Sequence, residues 1–348
     1  MARQTLPVTV LLPVYNGEQF VEEAVESILC QTVPDFELLI IDDGSTDSTP
    51  EFLASLSDPR VRLVTNPVNR GLVHTLNRGL ELARGEFVAR IDADDAATPE
   101  RLEHQVSFLR AHPDHLVVGC WFCVRAAGRT DVLRRPPVTD LAIRWELLFG
   151  CALPHPGVMA RTDTLRDLGG YDAAFPHNED YDLWCRLSRR GKLHNLPEVL
   201  LVYRKHGGQI SSTKRTIQGQ DHIRISCREI TGLLELTGAR ITPDAAVGVR
   251  DVLAGRIFQP REAGTIVRLA VHLARSFREV HCCPKFISGR LEWLLKEHVK
   301  FGGRCLFRGR LEEAAARGCV AVELAASGLV KAPVRLLAGA ALRYLRRP

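Results

Sequence analysis

Apolar residues in the first part of the chain gather into short strand-like stretches at 8–15, 36–41, 60–65 and 86–91, each followed by polar residues. Near-continuous apolar runs of this length fit strands covered on both faces, as in a parallel sheet. Between them the period changes. Phe20, Val21, Ala24, Val25, Ile28 and Leu29 recur at three- and four-residue spacing, and residues 72–83 repeat that pattern, so helices alternate with strands. The alternation predicts an α/β class, with polar turns gathered at strand carboxyl ends, where open α/β sheets bind ligands. Beyond residue 211 the pattern turns helical, with apolar stripes over 223–237, 247–258, 265–280, 285–301 and 310–328.

The turns carry the chemistry. After the fourth strand comes Arg90-Ile91-Asp92-Ala93-Asp94-Asp95, three carboxylates that repel one another unless a cation sits between them. Hard oxygen ligands suit Mg²⁺ or Mn²⁺. The competing reading is a polar turn in which one Asp caps the helix opening at Pro99. After the second strand comes Asp42-Asp43-Gly44-Ser45-Thr46-Asp47, and after the first Pro13-Val14-Tyr15-Asn16-Gly17-Glu18, so three polar turns converge on one rim. Farther on, Asn178-Glu179-Asp180 precedes an amphipathic helix whose apolar face is Leu183, Trp184 and Leu187. Trp184 reads as core rather than as a platform for a sugar. A carboxylate at that helix N-terminus is held ionised by the dipole, and capping is the competing role.

Taken in order, Leu12-Pro13-Val14-Tyr15-Asn16, the Asp42–Asp47 turn, Asn69-Arg70-Gly71 and the Arg90–Asp95 turn resemble the inverting glycosyltransferases of family 2, with the GT-A fold. The resemblance continues through Leu153-Pro154-His155-Pro156-Gly157, Gly169-Gly170-Tyr171-Asp172, Asn178 to Trp184 and Tyr203-Arg204-Lys205-His206, and covers residues 5–213. It implies a Rossmann-like, mixed and mostly parallel sheet flanked by helices. It also implies transfer of a sugar from a nucleoside-diphosphate donor, with uridine the expected base, to an acceptor hydroxyl.

The resemblance assigns roles residue by residue. Asp94 is the first expected metal ligand, and Asp92 the second or a ribose contact. Asp95 is a helper or a cap, and His206 reaches the metal or a phosphate from a Gly-containing loop. Pro13, Val14 and Tyr15 wall the base, with Asn16 and Glu18 in the same turn, and Asp42 or Asp43 accepts a uracil-type N–H. Asn69, Arg70 and Gly71 lie by the nucleotide with Arg90 and Ala93, while His155 and Gly157 line the donor-sugar side. Asp180 is the catalytic base, and Glu179 orients the acceptor or substitutes for it. A sugar nucleotidyltransferase would need a Gly-rich basic loop where Tyr15-Asn16-Gly17-Glu18 stands, and a dehydrogenase would need Gly-x-Gly-x-x-Gly there. A non-catalytic nucleotide-sugar-binding protein is the other alternative, opposed by the intact carboxylates.

Charge divides the chain. Residues 1–210 hold 22 Lys and Arg against 29 Asp and Glu, whereas 211–348 hold 24 against 12, so an acidic part precedes a basic one. The expected organisation is a catalytic domain at 1–213, split into a nucleotide half (1–115) and an acceptor half (116–213), then a basic helical region at 214–348. Its last stretch, 330–347, is basic and apolar, and is read either as contact with an anionic membrane surface or as a docked helix with a solvated basic face. Nucleic acid is not an expected partner, since no binding motif or interleaved aromatics accompany the charge. Only Cys120 and Cys123 among the ten cysteines form a Cys-x-x-Cys pair, with no second pair or paired histidines, so zinc is not expected. No secretory pattern opens the sequence. The expected setting is therefore a reducing cytoplasm, peripheral to the inner membrane face, with a glycan or lipid-linked glycan as acceptor. The preference for Arg over Lys suggests a GC-rich bacterial source, and with it surface polysaccharide or lipopolysaccharide assembly.

Overall fold

A computed structural model describes residues 7–207, 215–238, 240–253 and 263–281. It divides into two compact units, Met1–His222 and Ile223–Pro348. In the first, β1 (Val8–Val14), β2 (Phe36–Asp42), β3 (Val61–Thr65) and β4 (Phe87–Arg90) occupy the four apolar stretches. Helices α1 (Val21–Leu29), α2 (Thr49–Ser55) and α3 (Leu72–Leu82) alternate with them. All ladders among these four strands are parallel, in the order β3-β2-β1-β4. Every residue of β1, β2 and β4 is buried, as strands covered on both faces require.

The next elements turn the sheet mixed. They are β5 (Ala96–Ala97), α4 (Arg101–Ala111), β6 (His115–Ala126), β7 (Val132–Arg134), α5 (Asp140–Leu147), β8 (Met159–Arg161), α6 (Thr162–Asp167), α7 (Glu179–Ser188) and β9 (Lys192–Lys205). The sheet continues from β4 through β8, β6 and β9 to β5, with β7 paired outside β6. The β4–β8, β6–β8, β6–β7 and β5–β9 ladders are antiparallel, and β6–β9 is parallel. The core lies where Leu12, Leu38, Ile40 and Ala89 of the strands meet Val21, Val25 and Ile28 of α1 and Leu102 and Leu109 of α4. Trp184 is fully buried, in keeping with its reading as core.

Glycine permits one close approach that sets strand spacing. A Cβ on Gly85, just before β4, would stand 2.3 Å from the backbone nitrogen of Thr9. Gly85 N–H instead donates to Thr9 Oγ1 at 2.8 Å, and Thr9 Oγ1 donates to Glu37 Oε1 at 2.6 Å, joining the starts of β1, β2 and β4.

Helix α8 (Arg215–Glu235) carries the chain into the second unit, which contains α9 (Pro243–Leu253) and α10 (Ala263–His281). Within that unit Leu234, Val249, Leu273 and Phe277 are buried, and Thr237 Oγ1 pairs with Ser276 Oγ at 2.7 Å. The helices read over 285–301 and 310–328 and the basic terminal stretch lie outside the described residues. No helix among those described is long and apolar enough to cross a membrane.

Candidate active site

The carboxyl ends of β1, β2 and β4 open into a cleft of about 2120 Å³. That exceeds the few hundred to about a thousand cubic ångströms typical of one small-molecule site. Pro13, Val14, Tyr15, Asn16 and Glu18 line it, as do Asp43, Asn69, Arg70, Gly71, Arg90, Asp92, Ala93, Asp94, His155, Glu179, Asp180 and His206. Residues separated by nearly two hundred positions therefore share one cavity.

Asp42 and Gly157 are not part of that lining. Asp42 ends β2, is 2% exposed, and accepts Ser45 N–H at 3.0 Å, which closes the turn beneath the cleft. Gly157 is buried in a 3₁₀ turn, His155–Gly157, and its carbonyl accepts from Gln105 Nε2 at 2.8 Å. Strand alternation explains the split between the two neighbouring aspartates, because successive side chains point to opposite faces. Asp43 holds the opposing loop: its Oδ1 accepts Asn66 Nδ2 at 2.6 Å and Arg70 N–H at 3.0 Å, and its Oδ2 accepts Gly71 N–H at 2.8 Å. Glu18 accepts Ser48 N–H at 3.1 Å, so it ties the first turn to the start of α2.

The acidic turn after β4 is a compact carboxylate cluster. Ligand atoms of Asp92, Asp94 and Asp95 all lie within 4.8 Å of one another, the one such metal-capable group among the described residues. Arg90, 3% exposed, donates from Nη1 to Asp92 Oδ2 at 2.6 Å. Burial pushes Asp92 up to about 6 even though Arg90 opposes it. Asp95 is nearly fully buried and accepts Arg204 N–H at 2.8 Å through Oδ1. Its Oδ2 is buried without a hydrogen-bond partner, and burial together with its two neighbours raises it well above the ordinary carboxylate range. Uncompensated repulsion of this kind is what a divalent cation relieves. His206 Nε2 lies 2.9 Å from Asp94 Oδ2, bringing the distant loop onto the cluster as the resemblance implies. The donor set of carboxylate oxygens and one imidazole fits Mn²⁺ or Mg²⁺.

The start of α7 lines the same cleft. Tyr181 N–H donates to Asp180 Oδ1 at 2.7 Å, and Cys151 Sγ lies 3.3 Å from Asp180 Oδ2. Burial raises Asp180 above its ordinary value, and these two donors pull it back, so burial outweighs the helix terminus expected to keep it low. Glu179, 5% exposed, is pushed up to about 8 by burial and by the charge of Asp180. Its Oε1 is 3.6 Å from His155 Nδ1, whose Nε2 is 2.9 Å from Tyr171 Oη. Burial and the nearby Arg90 hold His155 well below its ordinary value, so it is neutral. Glu179, raised to about 8, therefore keeps its proton near neutral pH, and burial raises its neighbour Asp180 as well.

Sequence reading placed Asp47 and Tyr171 within motifs but gave them no role, and it did not single out Cys151. Asp47 Oδ2 accepts Glu18 N–H at 3.2 Å and joins two of the rim turns. Cys151 and Tyr171 are single residues in loops, and only tertiary packing brings them to Asp180 and His155.

Comparison with known proteins is consistent with this geometry. The family described as "Glycosyl transferase family 2" matches residues 9–162. An uncharacterized glycosyltransferase of Haemophilus influenzae is 30% identical over 257 residues, covering 70% of this chain and 80% of that protein. The Escherichia coli UDP-Glc:alpha-D-GlcNAc-diphosphoundecaprenol beta-1,3-glucosyltransferase WfaP is 28% identical over 210 residues, covering 60% of this chain and 80% of WfaP. The crystal structure of S. aureus TarS in complex with UDP-GlcNAc superposes with a TM-score of 0.56 at 17% identity, covering 90% of both chains, a likeness of fold. With a matching relative at that identity and coverage, and with the family's motifs assembled on one rim, the chain belongs to glycosyl transferase family 2.

Proposed function

We propose that this glycosyltransferase moves a sugar, with inversion, from a UDP-sugar to a hydroxyl of a lipid-linked glycan in bacterial surface-polysaccharide assembly. The observation that carries the reading is the gathering, in one cleft, of Asp92 and Asp94 of the acidic cluster with the Asp180–Glu179 pair. Inversion needs a base on the side of the anomeric carbon away from the departing nucleotide, and Asp180 shares the cleft with Asp92 and Asp94 without belonging to their cluster. WfaP, whose name states a diphosphoundecaprenol acceptor and a UDP-Glc donor, supports the donor base and the acceptor class.

The residues divide the work. Tyr15, Pro13 and Val14 wall the base, and Asp43, already fixed by Asn66 and Gly71, presents the acceptor atoms for its N–H. Asp94, with Asp92 and His206, would hold Mn²⁺ or Mg²⁺, which supplies charge stabilisation for the departing diphosphate. Asp180 takes the proton from the attacking hydroxyl, and its raised proton affinity suits that task. Glu179, protonated and beside neutral His155, is placed to donate a hydrogen bond that orients a sugar hydroxyl.

The test is a thermal-shift panel of UDP, GDP, TDP and CDP, each with and without Mn²⁺, since a ligand that binds only the native state raises the melting temperature. The expected result is Mn²⁺-dependent stabilisation that is largest for UDP. Equal stabilisation by all four would remove the uridine assignment, and no metal dependence would remove the role of Asp94.

A further inference from the structure

The cleft continues past the catalytic carboxylates onto the sheet face built by β7, β6 and β9, where Phe122 and Tyr203 are half-buried against the core. Register sets its composition. Phe122 pairs with Arg134 and Val124 with Val132 across the antiparallel ladder, while Val124 and Ala126 pair with Tyr203 and Lys205 across the parallel one. Directly paired residues share a face, so Val132, Val124, Phe122 and Tyr203 form an apolar shelf with Arg134 and Lys205 at opposite corners. Phe122, Val124, Arg134, Tyr203 and Lys205 line the same cleft as Asp180, and Val132 extends the shelf outward at 45% exposure.

The two faces of this hairpin treat their cations differently. On the far face Arg125 is paired with Asp131 at 3.2 Å, and Arg135 stacks on Trp121 at 5.3 Å. On the cleft face neither Arg134 nor Lys205 has a carboxylate partner among the described residues. Arg134 sits four residues along and two strands across from Lys205, about 16 Å between backbones by strand geometry. Two long side chains leaning inward across that span leave a gap suited to a diphosphate. Apolar area beside unpaired cations, opening toward a base, matches an amphiphile with a diphosphate head.

We infer that the β7–β6–β9 face is the seat of the acceptor's isoprenoid diphosphate, with Arg134 and Lys205 holding the diphosphate and Val132, Val124 and Phe122 carrying the first isoprene units. This rests on the glycosyl-transfer reading and adds the acceptor's anchoring site to it. The charge pattern favours a diphosphate lipid over an added protein strand, which would use the β7 edge and not its face.

The decisive experiment is calorimetric titration of the full chain with farnesyl diphosphate in EDTA, which keeps the probe from the divalent-cation site. The wild type should bind, and Arg134→Glu and Lys205→Glu should each weaken binding about tenfold or more. Val132→Asp, at an exposed position, should weaken it too, while inorganic pyrophosphate and farnesol bind far less well. Unchanged affinity in both charge-reversal variants would overturn the proposal. So would equal binding of pyrophosphate, or a loss confined to phosphatidylglycerol vesicles, which would mark a general membrane contact instead. Stabilisation of each variant by UDP with Mn²⁺ reports that the fold is intact. If the wild type fails that nucleotide test yet binds farnesyl diphosphate through these residues, the glycosyl-transfer reading falls and the lipid site stands.

Discussion

Asp180 and Glu179 are adjacent in sequence and differ in chemistry because of what surrounds each. Asp180 receives two donors, Tyr181 N–H and Cys151, while Glu179 faces neutral His155 in a buried pocket. Asp180→Asn keeps the shape and removes the proposed base. It should leave the UDP and Mn²⁺ thermal shift intact and lower turnover by about 10²- to 10⁴-fold, read as UDP release with acceptor present; near-normal turnover would move the base elsewhere. Glu179 carries a pH signature. Its carboxyl, raised to about 8 in the fold, keeps its proton while the unfolded chain ionises near the ordinary glutamate value, so stability is fullest below that value and falls as pH rises toward 8. In EDTA, Glu179→Gln should flatten the fall in melting temperature across this range; an unchanged pH profile would show that Glu179 ionises normally. Both carboxylates could be picked from sequence, but their raised proton affinities could not, because these depend on burial and on Arg90, Asp92 and Cys151 arriving from other segments.

At the scale of elements, the site depends on how β4 ends. Arg101, fully buried on α4, donates from Nη2 to the carbonyls of Arg90 at 2.6 Å and Val158 at 3.2 Å, and from Nε to Gln105 at 3.2 Å. It has no carboxylate partner among the described residues, and burial lowers its pKa to about 10. Its work is to satisfy carbonyls where the parallel part of the sheet meets antiparallel β8. Arg101→Leu should destabilise the chain by about 2 to 4 kcal/mol by denaturant unfolding, since it removes the guanidinium from the buried Arg90 carbonyl and leaves the Val158 carbonyl only the Arg90 N–H at 3.0 Å. The same substitution should weaken UDP binding in Mn²⁺, because Arg90 and Asp92 follow directly on the loosened strand end. Unaltered stability would mean that water replaces the guanidinium. The strands β1, β2 and β4 were plain in the apolar runs, since full burial leaves an unbroken apolar signature, while half-buried β3 showed as a shorter run. Strands β5 and β7, at two and three residues, left none, and their existence rests on pairing with β9 and β6.

At the scale of the whole molecule, charge is the dominant asymmetry, with an acidic first part and a basic remainder. A net positive region of this size attracts anionic lipid by an interaction that salt screens within about 10 Å at ordinary ionic strength. Full-length chain should therefore cosediment with phosphatidylglycerol vesicles at low salt and release as salt rises, and it should ignore neutral phosphatidylcholine vesicles. Salt-independent binding would point to apolar insertion instead, and absence of binding would remove the membrane from the proposal.

Sequence by itself determined the alternation of strands and helices, the turns that carry Asp43, Asp92, Asp94 and Asp180, and the division between acidic and basic parts. Local pattern suffices for these because burial on both faces, helical period and clustered carboxylates each leave a mark within a few residues. Tertiary structure alone decided that Asp43 and not Asp42 lines the cleft, that Cys151 reaches Asp180, and that His206 meets Asp94 across 112 positions. It also decided which arginines stay without carboxylate partners. Those outcomes depend on which face of a strand a side chain occupies and on which distant loop packs against it, and a linear pattern holds neither.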